Sequence, residues 1–196
     1  MSKFVTLLVG VVAMAGVAAA AARGSSGIQS SSSGPITANG SITFGGNTIC
    51  TVSLTFSLSA NPMLKTIGRT QGTVSGGSIT SCRSSIGITD GTWLLPGNIQ
   101  YSSFSGTLPN ITSVLTNVTN TGFQLNSSLG IRCLYGTLVL VIRFLFFLIA
   151  TATILNQINI DSAPVPRVSG GGLCPASVTV RGTLAVLSPQ PRVALV

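Results

Sequence analysis

The sequence predicts an all-β fold, an antiparallel β-sandwich or barrel-like domain with two disulfides, preceded by a signal peptide. From Pro35 onward, short runs rich in Val, Ile, Thr and Phe alternate with clusters of Gly, Asn, Pro and Ser, which is typical of short strands. The 196 residues include four cysteines, an even number that favours disulfides in an exported chain. Outside the N-terminal segment and the apolar residues 136–155, no window has the 3.6-residue apolar period of a helix.

Residues 1–22 have the parts of a secretory signal peptide. Lys3 gives a positive start, and the apolar stretch Phe4–Val17 leads into a run of alanines with candidate cleavage sites after Ala20 and Ala22. An uncleaved N-terminal anchor is the alternative interpretation. The first interpretation predicts a protein that is secreted or held at the cell surface.

The rest of the chain divides into two parts. Residues 23–34 read RGSSGIQSSSSG and predict a flexible leader, because such a stretch has too little apolar surface to bury. Residues 35–196 are long enough to form one domain with a core of its own, and we expect a single all-β domain there.

The clearest strand is CTVSLTFSLS, at Cys50–Ser59. Val52, Leu54, Phe56 and Leu58 fall on one face and hydroxyl residues on the other, as in a strand with one face in the core. Further strands are predicted at Gly72–Cys82, where Gly76 and Gly77 mark a bulge or turn, and at Gly97–Leu108, Asn110–Ser128 and Ala176–Pro189.

The four cysteines favour disulfides over a metal site, because the chain has no histidine and no Cys-x-x-Cys pair. Sequential pairing would join Cys50 to Cys82 and Cys133 to Cys174. Four cysteines allow three pairings, and the sequence leaves the other two open.

Catalytic groups are scarce, which predicts a protein that is not an enzyme and has no cofactor or metal. Asp90 and Asp161 are the only carboxylate side chains, and we expect the first in an Asp-Gly turn and the second in a loop. The chain has 10 Lys and Arg residues and a net charge of +8, but no two are adjacent in the mature part. This scatter predicts no nucleic-acid binding and only a weak attraction to anionic envelope polymers.

Trp93, Leu94 and Leu95 lie in DGTWLLPGNIQY and have two interpretations. Trp93, the only tryptophan, is either a core aromatic residue or, with the two leucines, an apolar contact site for lipid or hydrocarbon.

Residues 136–155, GTLVLVIRFLFFLIATATIL, form the most apolar segment. Residues 137–155 are just long enough to be a membrane helix, but Arg143 near the centre would cost about 2.5–3.5 kcal/mol. Ten of the 18 residues from 138 to 155 are β-branched or aromatic, which favours two strands joined near Phe144–Ala150. A disulfide between Cys133 and Cys174, on either side of the segment, would also exclude a single membrane span, because the span would place the two cysteines on opposite sides of the membrane. The segment adds three candidate apolar contacts, Phe144, Phe146 and Phe147.

Several motifs carry a family resemblance over about residues 35–190. They are GGSITSC before the second cysteine, GTWLLPGNIQY, LPNITSVLTNV and the ending GGGLCPASVTVRGTLAVLSPQ. In these the chain resembles a bacterial family called "protein activator of alkane oxidation". The resemblance implies a small secreted or cell-surface β protein linked to growth on hydrocarbons, surface hydrophobicity and biofilm. The apolar run after Cys133 departs from the polar turn expected there.

Three hypotheses follow. The first is a non-enzymatic exported cell-surface protein that contacts hydrocarbon, lipid or envelope polymer through apolar β surface. The second is a fibre-forming or matrix subunit that self-associates through strand edges. The third is an envelope protein anchored by a membrane helix at 137–155.

Overall fold

The computed structural model describes residues 27–30, 34–59, 63–64, 66–94, 96–107, 110–149, 152–187, 190 and 193–195. These residues form strands and their connections, and none of them lies in a helix. The strands are β1 (Gly27–Ser30), β2 (Ile36–Phe44), β3 (Thr48–Leu58), β4 (Met63–Leu64), β5 (Thr70–Ser84), β6 (Ile88–Leu94), β7 (Gly97–Thr107), β8 (Asn110–Ser127), β9 (Arg132–Ile149), β10 (Ala152–Ser162), β11 (Val165–Ser169), β12 (Ser177–Val178), β13 (Val180–Val186) and β14 (Val193–Leu195).

The main sheet is an antiparallel meander that closes into a small barrel. β2, β3 and β5 pair in sequence order, and β5 then pairs with both β6 and β7, which together lie along one side of β8. β9 follows β8, and β10 and β11 lie together along its other side. β13 pairs with both β10 and β2 and closes the sheet. The predicted all-β class is therefore confirmed in its barrel-like form.

Alternation along the strands fills the barrel interior with apolar side chains. In β3, Val52, Leu54 and Phe56 are buried as predicted, whereas the hydroxyl residues between them face outward. Strands β2 and β13 alternate in the same way. The most deeply buried large side chains are those of Tyr135, Phe44, Phe56, Phe123, Ile36, Ile42, Ile79, Ile99, Leu155, Ile158, Leu184 and Val52.

The predicted irregularity at Gly76 and Gly77 is a bulge inside β5. The register against β3 shifts opposite Thr55 and Phe56, and the strand continues beyond the shift. A Cβ atom on Gly77 would lie 2.6 Å from the carbonyl oxygen of Ser53 and 2.9 Å from the ring of Trp93. Glycine at this position lets the indole lie directly on the β5 backbone.

Both disulfides have the favoured sequential pairing, and both lie at one end of the barrel. Cys50–Cys82 joins neighbouring strands β3 and β5, and Cys133–Cys174 joins the start of β9 to the segment that follows β11. We call this end the disulfide end. Its connections are residues 45–47, 85–87, 128–131 and 170–176. The opposite end contains the ends of β3, β7, β9 and β13.

The described residues of the apolar segment 136–155 lie in strands, and the alternative of a membrane helix at 137–155 is wrong for them. β9 runs to Ile149 and β10 begins at Ala152, so the two-strand prediction is confirmed, but β9 continues unbroken past Phe144. Arg143 does not interrupt it, because its backbone has a partner residue on each side, in β8 and β10. At about 3.3 Å per residue, the 18 residues of β9 span about 60 Å.

No helix within the described ranges is long and apolar enough to cross a membrane.

The predicted leader contains a short strand. β1 pairs with β14 and β4 in a small separate sheet, so the flexible leader predicted at 23–34 is corrected for Gly27–Ser30. Its backbone forms antiparallel pairs, which a serine-rich sequence permits when a partner strand is available. The predicted signal peptide, residues 1–22, lies outside the described residues.

Candidate functional site

Asp90 is a strand residue on the outer wall of the barrel, so its predicted place in an Asp-Gly turn was wrong. It lies in β6, opposite Asn126 of β8. Asn126 Nδ2 donates to Oδ1 of Asp90 (2.6 Å), and Thr89 Oγ1 donates to Oδ2 (3.1 Å). Gln124 Nε2 donates in turn to Oδ1 of Asn126 (2.7 Å). The carboxylate is thus engaged in an exposed polar network that stabilises two neighbouring strands.

Asp161 also lies in a strand and not in the predicted loop. It is near the end of β10, and its Oδ1 accepts a hydrogen bond from Nε of Arg181 on β13 at 2.8 Å. Both side chains are largely exposed, so this ion pair contributes little to stability.

Within the described part of the chain, no three His, Cys, Asp or Glu side chains are grouped so that they could hold a metal ion. All four cysteines are in disulfides. The single lysine of the predicted domain, Lys65, lies outside the described residues. The absence of catalysis, cofactor and metal stays a prediction.

Trp93 is a core residue, the first of its two interpretations. Its side chain is 5% exposed, and its ring lies 6.3 Å from that of Phe44 and 5.9 Å from that of Phe123. Tyr135 stacks on Phe123 at 5.1 Å. The indole is therefore buried in the core, and its Nε1 has no hydrogen-bond partner among the described residues.

The other predicted apolar contacts are only partly described. Leu94 lies on the outer wall and is 40% exposed. Leu95 lies outside the described residues. Phe144, Phe146 and Phe147 are placed in β9 by their backbones, but their side chains fall outside the described part of the structure.

The sequence did not indicate a second apolar surface, at the disulfide end. The large apolar side chains exposed there include Ile49 (50%), Ile86 (40%), Leu129 (72%) and Leu173 (56%). They come from four separate parts of the chain: the start of β3 and the connections β5–β6, β8–β9 and β11–β12. We call these four residues the apolar tip.

Hydrogen bonds and a disulfide hold the apolar tip in place. The backbone N–H of Ser128 donates to the carbonyl oxygen of Gly87 (3.0 Å), which joins the connections that carry Ile86 and Leu129. The segment with Leu173 is closed by Cys133–Cys174. Nη1 of Arg167 donates to the carbonyl oxygens of Gly171 (3.0 Å) and Cys174 in the same segment. These contacts fasten the connections that carry Ile86, Leu129 and Leu173 to the barrel.

The aromatic core cluster supports the apolar tip from below. Its rings are those of Phe44, Trp93, Phe123 and Tyr135, from four strands of the barrel. The hydroxyl of Tyr135 donates to the carbonyl oxygen of Pro175 (3.3 Å), which connects the cluster to the 170–176 segment. Burial raises the pKa of Tyr135 above its ordinary value, and the nearby Arg167 partly opposes that rise.

Two arginines flank the apolar tip. Arg83 on β5 lies directly opposite Ile49, and Arg132 begins β9 immediately after the connection that carries Leu129. Both side chains are exposed, and among the described residues neither guanidinium has a hydrogen-bond or ion-pair partner. The disulfide end therefore combines apolar side chains with uncompensated positive charge.

A weak sequence signal for the apolar tip exists in hindsight. Ile86 and Leu129 each stand between a serine and a glycine, in SSIG and SSLG, and Leu173 follows three glycines. A large apolar side chain among turn-forming residues has no strand face to place it in the core. The sequence alone does not show that these turns meet at one end.

The comparisons with known proteins give no relative: no family model matches the chain, and no match was found among curated proteins or solved structures. The resemblance to the alkane oxidation activator family therefore stays a prediction.

Proposed function

We propose that this chain is a non-enzymatic, exported cell-surface protein that acts at hydrophobic interfaces, such as hydrocarbon or lipid surfaces. The apolar tip is the observation that carries the proposal. The two disulfides are compatible with an exported protein. The resemblance to proteins linked to hydrocarbon growth points in the same direction.

The apolar tip suits an extended surface better than a small molecule. Its four side chains project from separate connections at the end of a barrel whose interior is filled by core residues. Side chains at the end of a closed barrel can enter an apolar phase together while the backbone keeps its hydrogen bonds. Burial of a leucine side chain contributes about 1.5–3 kcal/mol, which makes a small number of residues sufficient for measurable adsorption.

The fibre hypothesis has less support than the interface hypothesis. Closure of the main sheet pairs β2 with both β13 and β3, so β2 offers no open edge for self-association.

Adsorption to hexadecane droplets and to neutral phosphatidylcholine vesicles tests the proposal. The double variant Leu129→Ser with Leu173→Ser is expected to adsorb at least about tenfold more weakly, because it loses two apolar contacts. Ile67→Ser is the matched control, because Ile67 is 78% exposed but lies at the opposite end. Equal losses in the control and the double variant would contradict the proposal, as would no loss in either.

In cells, deletion of the gene is expected to lower surface hydrophobicity, biofilm formation or growth on alkanes. Unchanged values of all three would count against a role at hydrophobic interfaces.

A further inference from the structure

We infer that the apolar tip docks on an anionic lipid surface, where Arg83 and Arg132 contact headgroup phosphates. This inference rests on the proposed function, which requires only that the partner has an apolar surface. The inference adds that the partner surface is negatively charged.

The two arginines have equivalent places beside the apolar tip. Arg83 lies three residues before Ile86, and Arg132 lies three residues after Leu129. The connections that carry Ile86 and Leu129 are joined by the hydrogen bond from Ser128 to Gly87. One guanidinium therefore lies on each side of a joined pair of apolar turns.

Carboxylates do not compensate these charges. The chain has only two acidic side chains, Asp90 and Asp161, and Asp161 is paired with Arg181. Asp90 is separated from Arg132 by the strand that carries Asn126, a distance of two strand spacings or about 10 Å. That backbone distance is about one Debye length at 0.1 M salt, which weakens the attraction, and the Asp90 carboxylate is already engaged by Asn126 and Thr89.

Arginine beside apolar side chains fits the boundary between lipid tails and headgroups. A guanidinium binds phosphate oxygens in a bidentate manner, and its aliphatic stem can lie along apolar surface. When the apolar tip enters the tail region, the two guanidinium groups remain at the depth of the phosphates. A pure hydrocarbon surface offers no partner for these two charges.

The opposite end provides a natural control. Ile67 and Arg69 are also exposed there, two residues apart, but they belong to a single connection. The apolar tip gathers four residues from four parts of the chain, and only there does apolar area coincide with two unpaired arginines among the described residues.

Vesicle sedimentation separates the inference from the proposed function. Partition coefficients are measured on vesicles of phosphatidylcholine alone and of phosphatidylcholine mixed with phosphatidylglycerol. The proteins are the full chain, the double variant Arg83→Gln with Arg132→Gln, and the control Arg69→Gln. Unchanged thermal midpoints and near-ultraviolet circular dichroism confirm that the variants fold.

On mixed vesicles the double variant is expected to bind about 25-fold more weakly, about fivefold for each arginine near an anionic surface. Arg69→Gln should bind like the unmodified chain. The difference between double variant and unmodified chain should vanish at 1 M salt, where the Debye length is about 3 Å. On neutral vesicles, whose headgroups carry phosphate but no net charge, the loss in the double variant should be much smaller than on mixed vesicles.

Three results would overturn the inference. The first is a double variant that binds mixed vesicles as tightly as the unmodified chain, and the second is an equal loss in Arg69→Gln, which would reflect net charge alone. The third is tight binding of a soluble polyuronate that depends on both arginines, which would identify an anionic polysaccharide as the ligand. Absence of partition to every vesicle and droplet would instead refute the proposed function.

Discussion

The two ends of the barrel are built differently. At the disulfide end, short connections are held by Cys50–Cys82, by Cys133–Cys174 and by the aromatic core cluster beneath them. At the opposite end, β8 and β9, with 18 residues each, are held by backbone pairing with their neighbours. The exposed side chains of the apolar tip therefore lie on connections that are fastened covalently, whereas the opposite end depends on backbone pairing alone.

Removal of the ring at the centre of the aromatic cluster should have the largest effect on stability. Phe123→Ala is expected to lower the free energy of unfolding by about 3–5 kcal/mol, because the ring is fully buried and leaves a cavity. Val118→Ala, on the same strand but outside the cluster, should cost about 2 kcal/mol through its lost methyl groups. Urea denaturation measures both values, and equal losses would argue against a special role of the cluster.

Loss of either disulfide is the next largest change. Replacement of either cysteine pair by serine should cost about 3–4 kcal/mol, because the closed loops are similar in length, with separations of 32 and 41 residues. Only removal of Cys133–Cys174 should also speed amide exchange in residues 170–176, which that bond fastens to β9. Faster exchange at the opposite end, in the ladder between β8 and β9, would contradict the contrast between the ends.

Part of the fold could be predicted from the sequence. The alternation in Cys50–Ser59 identified β3, and the cysteine order favoured the observed pairing. Asp90 was misassigned because Asp-Gly is a local turn signal, whereas here pairing with Asn126 across two strands decides the conformation.

The apolar tip was not predictable from the sequence, for a topological reason. Ile49, Ile86, Leu129 and Leu173 are far apart in the chain, and they meet because an up-and-down meander brings alternate connections to the same end. The residue at which β9 ends was not predicted, because the segment contains none of the usual turn residues. Backbone pairing on both sides carries the strand past the expected turn.

Two buried tyrosines should make the stability of the barrel depend on pH in alkaline solution. The chain has two, Tyr101 and Tyr135, and burial raises the pKa of each above 10.0. Because the unfolded chain loses these protons first, stability should be intact below pH 10 and fall as the pH rises toward the folded-state pKa values. Ultraviolet titration and unfolding measurements should show this loss, and Tyr135→Phe should reduce it. Ionisation of both tyrosines at their ordinary value would contradict their burial.

The smallest effect is expected on the outer wall, away from both ends. A double-mutant cycle with Asp161→Asn and Arg181→Gln should give a coupling energy of about 0–1 kcal/mol, because both side chains are solvated. It should decrease further in salt. A much larger coupling would mean that the wall, and not the disulfide end, contributes strongly to the rigidity of the barrel.

Amide hydrogen exchange of the protein adsorbed to hexadecane droplets, compared with the protein in solution, tests the central claim most directly. If the disulfide end is the contact surface, adsorption should slow exchange in residues 85–87, 128–131 and 170–174, while Thr66–Thr70 and the opposite-end part of β7 exchange as in solution. Protection confined to the opposite end, around the junction of β9 and β10, would contradict the account and favour the apolar residues of β9 as the contact surface.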